Sequence, residues 1–280
     1  MSFQYHTLRS IPLADIAAAF NQSFADYAAP LSITPQRLAE KIRAEGIDLD
    51  LSMGVFDGAK IIGFVWHSTR VINGKEIAYN GGTGVIPEYR GRHLVREMYR
   101  FIQPYFKQRD ISGCTLEVIT NNIPAVKAYE GLGFRAKRTL NVYKGVLKGE
   151  CVHVVKEMTS LNFLDVTQFW DCEPAWQHTV AAINLAIEEN KIVAIEKDGV
   201  VVAYAVFYPV ISRLKQLAVH KDYRRQGMAT SLLQYLQQQY GEFTCANIDE
   251  GCISINQLLL QRGMSNTIQQ YEMWKEGIDF

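Results

Sequence analysis

The most informative segment of this 280-residue chain is Tyr223-Arg224-Arg225-Gln226-Gly227-Met228-Ala229-Thr230. An apolar run, Leu217-Ala218-Val219, precedes it as a strand would, and leucines at helical spacing follow it. A strand, a turn and a helix in this order leave backbone N–H groups unpaired at the helix start, where the helix dipole favours negative charge. The small side chains of Gly227 and Ala229 let a diphosphate approach the backbone. The segment therefore predicts a phosphate-binding turn.

An earlier part of the chain repeats this segment. Val85-Ile86-Pro87-Glu88-Tyr89-Arg90 aligns with Val219-His220-Lys221-Asp222-Tyr223-Arg224 at an offset of 134 residues. Further along, Gly133-Phe134 aligns with Gly263-Met264 at an offset of 130. An Asp-Gly pair between two apolar runs also occurs once in each half, upstream of these segments. Matches in the same order and at similar offsets indicate an internal duplication.

After their first helices, both halves are predicted to contain consecutive strands and then alternating helices and strands, which is an α/β (α+β) arrangement with a mixed sheet. In the first half we expect helices over 11–28, 35–45, 93–108 and 123–132, and strands over 51–56, 60–68, 77–86, 115–119 and 136–144. In the second half we expect helices over 176–189, 228–239 and 253–262, and strands over 192–196, 200–208, 214–219, 244–248 and 268–275. A glycine-containing stretch around Leu147 predicts the domain boundary, which gives domains 1–147 and 148–280.

The composition narrows the classes of partner. The 29 basic and 29 acidic side chains cancel, which argues against nucleic acid or an anionic membrane as the main partner. No apolar run approaches the roughly 20 residues that span a bilayer, and no signal peptide is evident. The five cysteines include no C-x-x-C pair, and the histidines show no metal-binding spacing. We therefore expect a cytoplasmic protein without a bound metal.

The turn resembles the acetyl-CoA signature R/Q-x-x-G-x-G/A of the GNAT N-acetyltransferases, here Arg224-x-x-Gly227-x-Ala229. The resemblance implies two tandem GNAT-like domains. In the first copy, His93 stands in place of the usual glycine and Val95 in place of glycine or alanine, so the second copy has the better-formed turn. By this resemblance the cofactor-binding residues are Leu217, Val219, Arg224, Arg225, Gln226, Gly227, Met228, Ala229 and Thr230, with Val85, Arg90, Gly91, Arg92 and Asn122 in the first copy.

A second GNAT signature is better preserved in the first copy. It runs from Asn122 through Ala125 and Tyr129 to Gly133-Phe134, and the resemblance implies that Tyr129 protonates the departing thiolate. The same spacing places Leu259 at the tyrosine position of the second copy. A tyrosine that merely packs on the sheet is the alternative interpretation of Tyr129. The two signatures are thus divided between the copies.

The second copy offers weaker candidates for the acid and the base. Asp249 and Glu250 follow a predicted strand, and Glu250 is our candidate base. The alternative interpretation is that these acidic residues only stabilise the start of the next helix through its dipole. Tyr271 on the last strand is a candidate acid, with aromatic strand packing as the alternative.

Together these patterns predict an enzyme that moves an acetyl group from acetyl-CoA to an amine of a small molecule or peptide. Two other interpretations stay open. In the first, both copies have lost catalysis and the protein is a coenzyme A-binding sensor or scaffold. In the second, the first copy is a structural half and only the second copy binds the cofactor. The acceptor and the oligomeric state have no signal in the sequence.

Overall fold

The computed structural model describes residues 3–26 and 31–280. Its α-helices are α1 (Leu13–Ser23), α2 (Pro35–Glu45), α3 (Leu94–Gln108), α4 (Ile123–Glu130), α5 (Phe163–Val166), α6 (Val180–Asn184), α7 (Met228–Tyr240) and α8 (Ile253–Gln261). Its strands are β1 (Gln4–Thr7), β2 (Ile47–Asp57), β3 (Lys60–Ile72), β4 (Lys75–Val85), β5 (Ile111–Ile119), β6 (Arg135–Lys144), β7 (Lys156–Met158), β8 (Lys191–Lys197), β9 (Val200–Tyr208), β10 (Arg213–Val219), β11 (Thr244–Asp249) and β12 (Ser265–Glu276). Across the described ranges, we find no helix with the length and apolar character needed to cross a bilayer.

The chain forms two compact units. Unit 1 contains residues 1–137 and 271–280, and unit 2 contains residues 138–270. This division differs from the predicted boundary at residue 147, because β6 pairs with β11 and so belongs to unit 2 from residue 138 onward. Residues 271–280, predicted to belong with the second half, are part of unit 1. The composition of a loop does not reveal this division, because strand pairing determines which residues belong to each unit.

Unit 1 contains the strand order β1-β2-β3-β4-β5-β12, in which β4 and β5 are parallel and the strands from β1 to β4 are antiparallel. One hydrophobic cluster packs α3 and α4 on the sheet, with Met98, Ile102 and Phe134 fully buried. A second cluster packs α1 and α2, with Ile16 and Leu38 fully buried. A sheet with helices on both faces follows from apolar residues on both sides of the central strands.

Unit 2 contains the strand order β12-β6-β11-β10-β9-β8-β7, with β10 and β11 parallel. One cluster packs α7 and α8 on the sheet through Leu232, Leu236 and Leu259, all fully buried. The other packs the segment before β8 through Phe169 and Ile183. The predicted mixed α/β arrangement with two similar halves is confirmed in both units.

The predicted helix over 176–189 is wrong. In its place stand a 3-10 turn at Trp176–His178, the short α6, and a 3-10 turn at Ile187–Glu189. Thr179 interrupts the helix because its backbone is extended (φ −64°, ψ 158°) and its hydroxyl accepts from Ala182 N. Asn190 then donates to the carbonyls of Ile183 and Ala186 and stops continuation.

The first predicted helix, over 11–28, is shorter at its start, where Pro12 stands at the N-cap of α1. Its last predicted positions, Tyr27 and Ala28, lie outside the described residues. α2 matches its predicted bounds: Thr34 accepts from Arg37 N at 3.2 Å, and Gly46 ends the helix with φ 65°.

Candidate active site

A cleft opens in unit 2 where two parallel strands separate. β10 and β11 pair at Arg213–Thr244 and Leu214–Cys245 and then diverge. Beyond these pairs lies a cleft of about 400 Å³. Its lining is drawn from residues 169–178, 215–219, 223–230 and 247–262, all in unit 2. Divergence of two central strands supplies a concave site of the size that small ligands use.

A β-bulge lies near the point of divergence in each unit. The register between β10 and β9 shifts between Leu214 and Gln216, so Lys215 is the extra residue. The register between β4 and β3 shifts in the same way at Gly81. Lys215 and Gly81 are 134 residues apart, which is the offset of the duplicated turn. The duplication therefore preserves the strand distortion, which re-aims the strand beside the site.

Two left-handed residues shape the turn between β10 and α7. Arg225 has φ 62° and Gly227 has φ 83°. Ser231 N donates to Gly227 O at 2.9 Å as the first helical bond, so the N–H groups of Met228 to Thr230 precede it and have no helical acceptor. Gly227, Ala229 and Thr230 line the cleft. The turn thus presents free donors and small side chains to the same space, which suits an anionic group.

The structure brings most of the sequence-predicted residues of the second copy to this cleft. Its lining includes Leu217, Val219, Arg224, Arg225, Gly227, Met228, Ala229 and Thr230. Gln226 is not part of the lining, and its carbonyl accepts a hydrogen bond from Nε2 of His153 at 2.6 Å.

Arg224 is engaged within the protein. Its guanidinium donates to Val219 O at 3.1 Å, to Asp171 Oδ1 at 2.9 Å and to Phe169 O at 2.9 Å. Burial raises the pKa of Asp171, but hydrogen bonds from Arg224 and Ser254 outweigh this and lower the pKa. Within the protein, the guanidinium links the end of β10 to the segment before β8, and its predicted contact with the cofactor stays a prediction.

Unit 1 repeats the geometry of the turn with different side chains. Gly91 has φ 75° and His93 has φ 58°, which correspond to the two left-handed positions of unit 2. Arg90 donates to Val85 O at 3.1 Å and to Asp26 at 2.5 and 2.9 Å, as Arg224 does to its own partners. The backbone of the first copy therefore keeps its shape although its glycine is replaced.

The remaining first-copy residues lie around this turn. Arg92 packs over the ring of Tyr89, 5.3 Å from its centroid, and donates to Glu88 O at 3.3 Å. Asn122 caps α4, because its side chain accepts from Ala125 N at 3.3 Å. Arg92 and Asn122 therefore stabilise the first copy through contacts within the protein, whether or not they also bind a ligand.

The three predicted catalytic residues are divided between the two units, two in unit 1 and one in unit 2. Tyr129 belongs to unit 1, is 7% exposed, and has its hydroxyl 3.5 Å from Nδ2 of Asn80. Tyr271 also belongs to unit 1, where it packs against the core of α3 and α4. Glu250 is exposed and outside the cleft lining. The division follows from the strand arrangement, because β12 enters unit 1 at Tyr271.

Asp249 is the carboxylate of the predicted pair that lines the cleft. Arg138 donates to its Oδ2 at 3.0 Å and to the carbonyl of Glu173 at 2.7 Å. Both side chains of this ion pair are mostly buried, which strengthens their attraction relative to a surface pair. Asp249 thus holds a cation on one wall of the cleft.

A chain of hydrogen bonds that sequence reasoning missed orders another wall. Trp170 Nε1 donates to Tyr204 Oη at 2.6 Å, Tyr204 donates to Gln216 at 3.0 Å, and Gln216 donates to the carbonyl of His178 at 2.6 Å. Burial lowers the pKa of His178 to about 3, with the cations of unit 2 adding to the effect, so its imidazole is neutral. No local pattern signals this chain, because its members come from four separate segments.

A model of the acetyltransferase (GNAT) family matches residues 16–134 and 160–256 of the chain. A mycothiol acetyltransferase of Corynebacterium glutamicum (strain R) is 31% identical over 111 residues. That match covers 40% of this chain and 37% of the relative, so the chain matches little more than a third of the relative's length.

Two solved structures are similar over nearly the whole chain. A GCN5-related N-acetyltransferase from Sphaerobacter thermophilus has a TM-score of 0.72 at 17% identity, covering 99% of this chain and 98% of the other. A tandem GNAT protein from the clavulanic acid biosynthesis pathway has a TM-score of 0.69 at 13% identity, covering 98% of each chain. At these identities the likeness concerns the fold.

Proposed function

Because the chain belongs to the acetyltransferase (GNAT) family, we propose that unit 2 binds acetyl-CoA and transfers its acetyl group to an amine of a small molecule or peptide. The observation that carries the proposal is the cleft between β10 and β11, which ends at the α7 turn with its free N–H donors. The five cysteines are free, as in the reducing cytoplasm that we propose as its compartment.

The residues of unit 2 fit the diphosphate of the cofactor. Gly227 and Ala229 leave the backbone at the start of α7 accessible, and the N–H groups there point with the positive end of the helix dipole. When bound, acetyl-CoA supplies an activated thioester carbonyl. The edge of β10 that faces away from β9, around Leu217 and Val219, has lost its partner strand and offers backbone N–H groups to a developing oxyanion.

The acceptor amine enters beside residues 169–178 in this proposal. Glu173 is a carboxylate of the lining that attracts an ammonium group. The hydrogen bonds that join Trp170, Tyr204, Gln216 and the carbonyl of His178 hold residues 169–178 in place. This part of the cleft therefore binds the acceptor without rearranging.

A coenzyme A-binding sensor or scaffold is the second candidate function. It is favoured by two observations on proton transfer. Leu259, at the position that Tyr129 has in unit 1, is fully buried, and Asp249 is already paired with Arg138. A protein of this kind binds acetyl-CoA in the cleft but releases no coenzyme A when amines are added.

Titration calorimetry with acetyl-CoA tests the site, with Ala229→Glu and its first-copy counterpart Val95→Glu as a matched pair. A carboxylate at residue 229 repels the diphosphate and should weaken binding about tenfold or more. It should not harm folding, since an acidic residue is favourable in the first turn of a helix. We expect Val95→Glu to bind acetyl-CoA as the wild type does. Binding lost only in Val95→Glu places the cofactor in unit 1 and contradicts the proposal.

Turnover then separates the two candidate functions. A panel of small amines, amino acids and peptides is added with acetyl-CoA, and released coenzyme A thiol is measured. Release that depends on an amine and vanishes in Ala229→Glu supports the transferase. Tight binding without release over the whole panel supports the sensor.

A further inference from the structure

Arg262 is a cation of the cleft that neither signature contains. It follows α8 directly and its side chain lines the cleft. A Cβ atom placed on Gly149 would lie 3.4 Å from Arg262 Nη1 and 3.0 Å from Thr230 Cγ2. Arg262 therefore lies near Thr230 in the first turn of α7, and both residues line the cleft.

This guanidinium has no acidic partner among the described residues, whereas other arginines of the same region do. Arg224 pairs with Asp171 and Arg138 with Asp249. Arg262 is half-buried, and no ion pair or side-chain hydrogen bond of the described ranges involves it. A partly desolvated cation without a counter-ion is costly, so this arrangement suits a ligand that brings negative charge.

Lys148 adds a second cation at this place. Its backbone N–H donates to Arg262 O at 2.6 Å, and its side-chain carbons lie 3.4 Å from a Cβ atom placed on Gly263. Two basic residues therefore lie where α8 ends, although the whole chain has no net charge.

The first copy also places an arginine near the end of the equivalent helix, but this arginine belongs to the other helix of the pair. At the offset of 130 residues, Leu132 takes the place of Arg262 and is buried. At the offset of 134, Arg96 takes the place of Thr230, and its Nη2 lies 3.5 Å from a Cβ atom placed on Gly131. Each copy thus places one guanidinium between the turn helix and the helix that follows the next strand.

We propose that Arg262 binds a phosphate group at the nucleotide end of the cofactor, either the 3′-phosphate or the diphosphate. The inference rests on the proposed function, because it assigns a residue to the same ligand. A guanidinium binds phosphate through two parallel N–H donors, and a lysine gives the charge without this fork. Arg262 is a specificity-determining residue if its partner is the 3′-phosphate, since that group distinguishes coenzyme A from its dephosphorylated form.

The experiment measures the dissociation constants of acetyl-CoA and 3′-dephospho-acetyl-CoA for the wild type, Arg262→Gln and Arg262→Lys. Arg96→Gln is the matched control from the first copy. We expect Arg262→Gln to weaken acetyl-CoA binding about tenfold, Arg262→Lys to weaken it less, and Arg96→Gln to bind as the wild type. The salt dependence of binding should also be smaller in Arg262→Gln, because one phosphate contact is lost.

The two cofactors identify the phosphate. If Arg262 binds the 3′-phosphate, the wild type binds the dephosphorylated form weakly and Arg262→Gln changes that affinity little. If Arg262 binds the diphosphate, the substitution weakens both cofactors equally. Wild-type affinities for both cofactors in Arg262→Gln overturn the inference and leave the proposed function standing. Failure of the wild type to bind either cofactor overturns both.

Discussion

His93 occupies a backbone conformation that favours glycine. At φ 58° it precedes α3, and its side chain makes no capping hydrogen bond. A side chain in the left-handed region costs roughly 1–2 kcal/mol relative to glycine. Glycine gives up about 0.5–1 kcal/mol of this advantage, because its unfolded chain has more entropy to lose. We therefore expect His93→Gly to raise the free energy of unfolding by about 0.5–1 kcal/mol.

Urea unfolding measures this change, with His93→Ala as the control because alanine keeps the Cβ atom. A loss of stability in His93→Gly would show instead that the imidazole makes a stabilising contact. The equivalent Gly227 already has the favoured residue, so the same strain is absent at the turn of unit 2.

His67 makes the stability of unit 1 dependent on pH. It is fully buried, its Nδ1 lies 2.8 Å from Leu51 O, and burial lowers its pKa to about 4. In the unfolded chain the imidazole binds a proton below about pH 6.5, whereas the folded protein does not until about pH 4. Stability is therefore lost as the pH falls through this window, by about 2 kcal/mol between pH 7 and pH 5 from this residue.

Unfolding at pH 7 and pH 5 tests the effect in the wild type and in His67→Gln. The difference in unfolding free energy between the two pH values should shrink by about 2 kcal/mol in His67→Gln. His6→Gln, the same substitution at an exposed position, is the matched control. An unchanged difference in His67→Gln would contradict the assignment.

At the scale of elements, the two copies cap equivalent helices differently. Asn122 caps α4 through its side chain, whereas Cys252 at the equivalent start of α8 makes no capping bond. We expect Asn122→Ala to lower the free energy of unfolding by about 1 kcal/mol and Cys252→Ala to change the helix start little. Denaturant unfolding of the two variants compares them directly. Equal losses in both would show that the cap bond contributes nothing to α4.

Local signals predicted the elements that local chemistry determines. A glycine followed by leucines at helical spacing predicts the turn before α7. Thr34 and Gly46 predict α2, because they cap its two ends. The interruption at Thr179 was not readable, since threonine also occurs inside helices and only its extended backbone here ends the run. Arg262 was missed for another reason. Its position beside α7 depends on how α8 packs, and no spacing in the sequence encodes that.

At the scale of the whole molecule, Phe280 links distant parts of the sequence within unit 1. Its ring lies 4.7 Å from that of Tyr99, 6.1 Å from Phe106 and 6.4 Å from Phe134, measured between centroids. We expect Phe280→Ala to lower the free energy of unfolding by about 2 kcal/mol, because the substitution removes a half-buried ring that packs on three fully buried aromatic rings.

Denaturant unfolding measures this free energy of unfolding. It should fall less in Phe280→Leu than in Phe280→Ala, because leucine fills part of the space. Acetyl-CoA affinity is the second readout and should stay at the wild-type value, since the proposed site lies in unit 2. An unchanged unfolding free energy in Phe280→Ala would show that the cluster does not stabilise unit 1.

The duplication was visible in the sequence, but the composition of the units was not. Offsets between matching segments reveal two copies without saying which strand pairs with which. Tyr271 is the clearest case. Its position after α8 predicts that it belongs to the second copy, but it packs in unit 1 because β12 continues there. Strand pairing over more than a hundred residues depends on tertiary packing, which one sequence does not reveal.

The discontinuity of unit 1 has a consequence for how the protein is made. Residues 138–270 form unit 2 without a break, whereas unit 1 needs residues 271–280 in addition to its first 137. On the ribosome, the unit that begins first therefore cannot be completed until the other has been translated. Until residues 271–280 have been made, unit 1 leaves exposed the apolar surface that Phe280 covers.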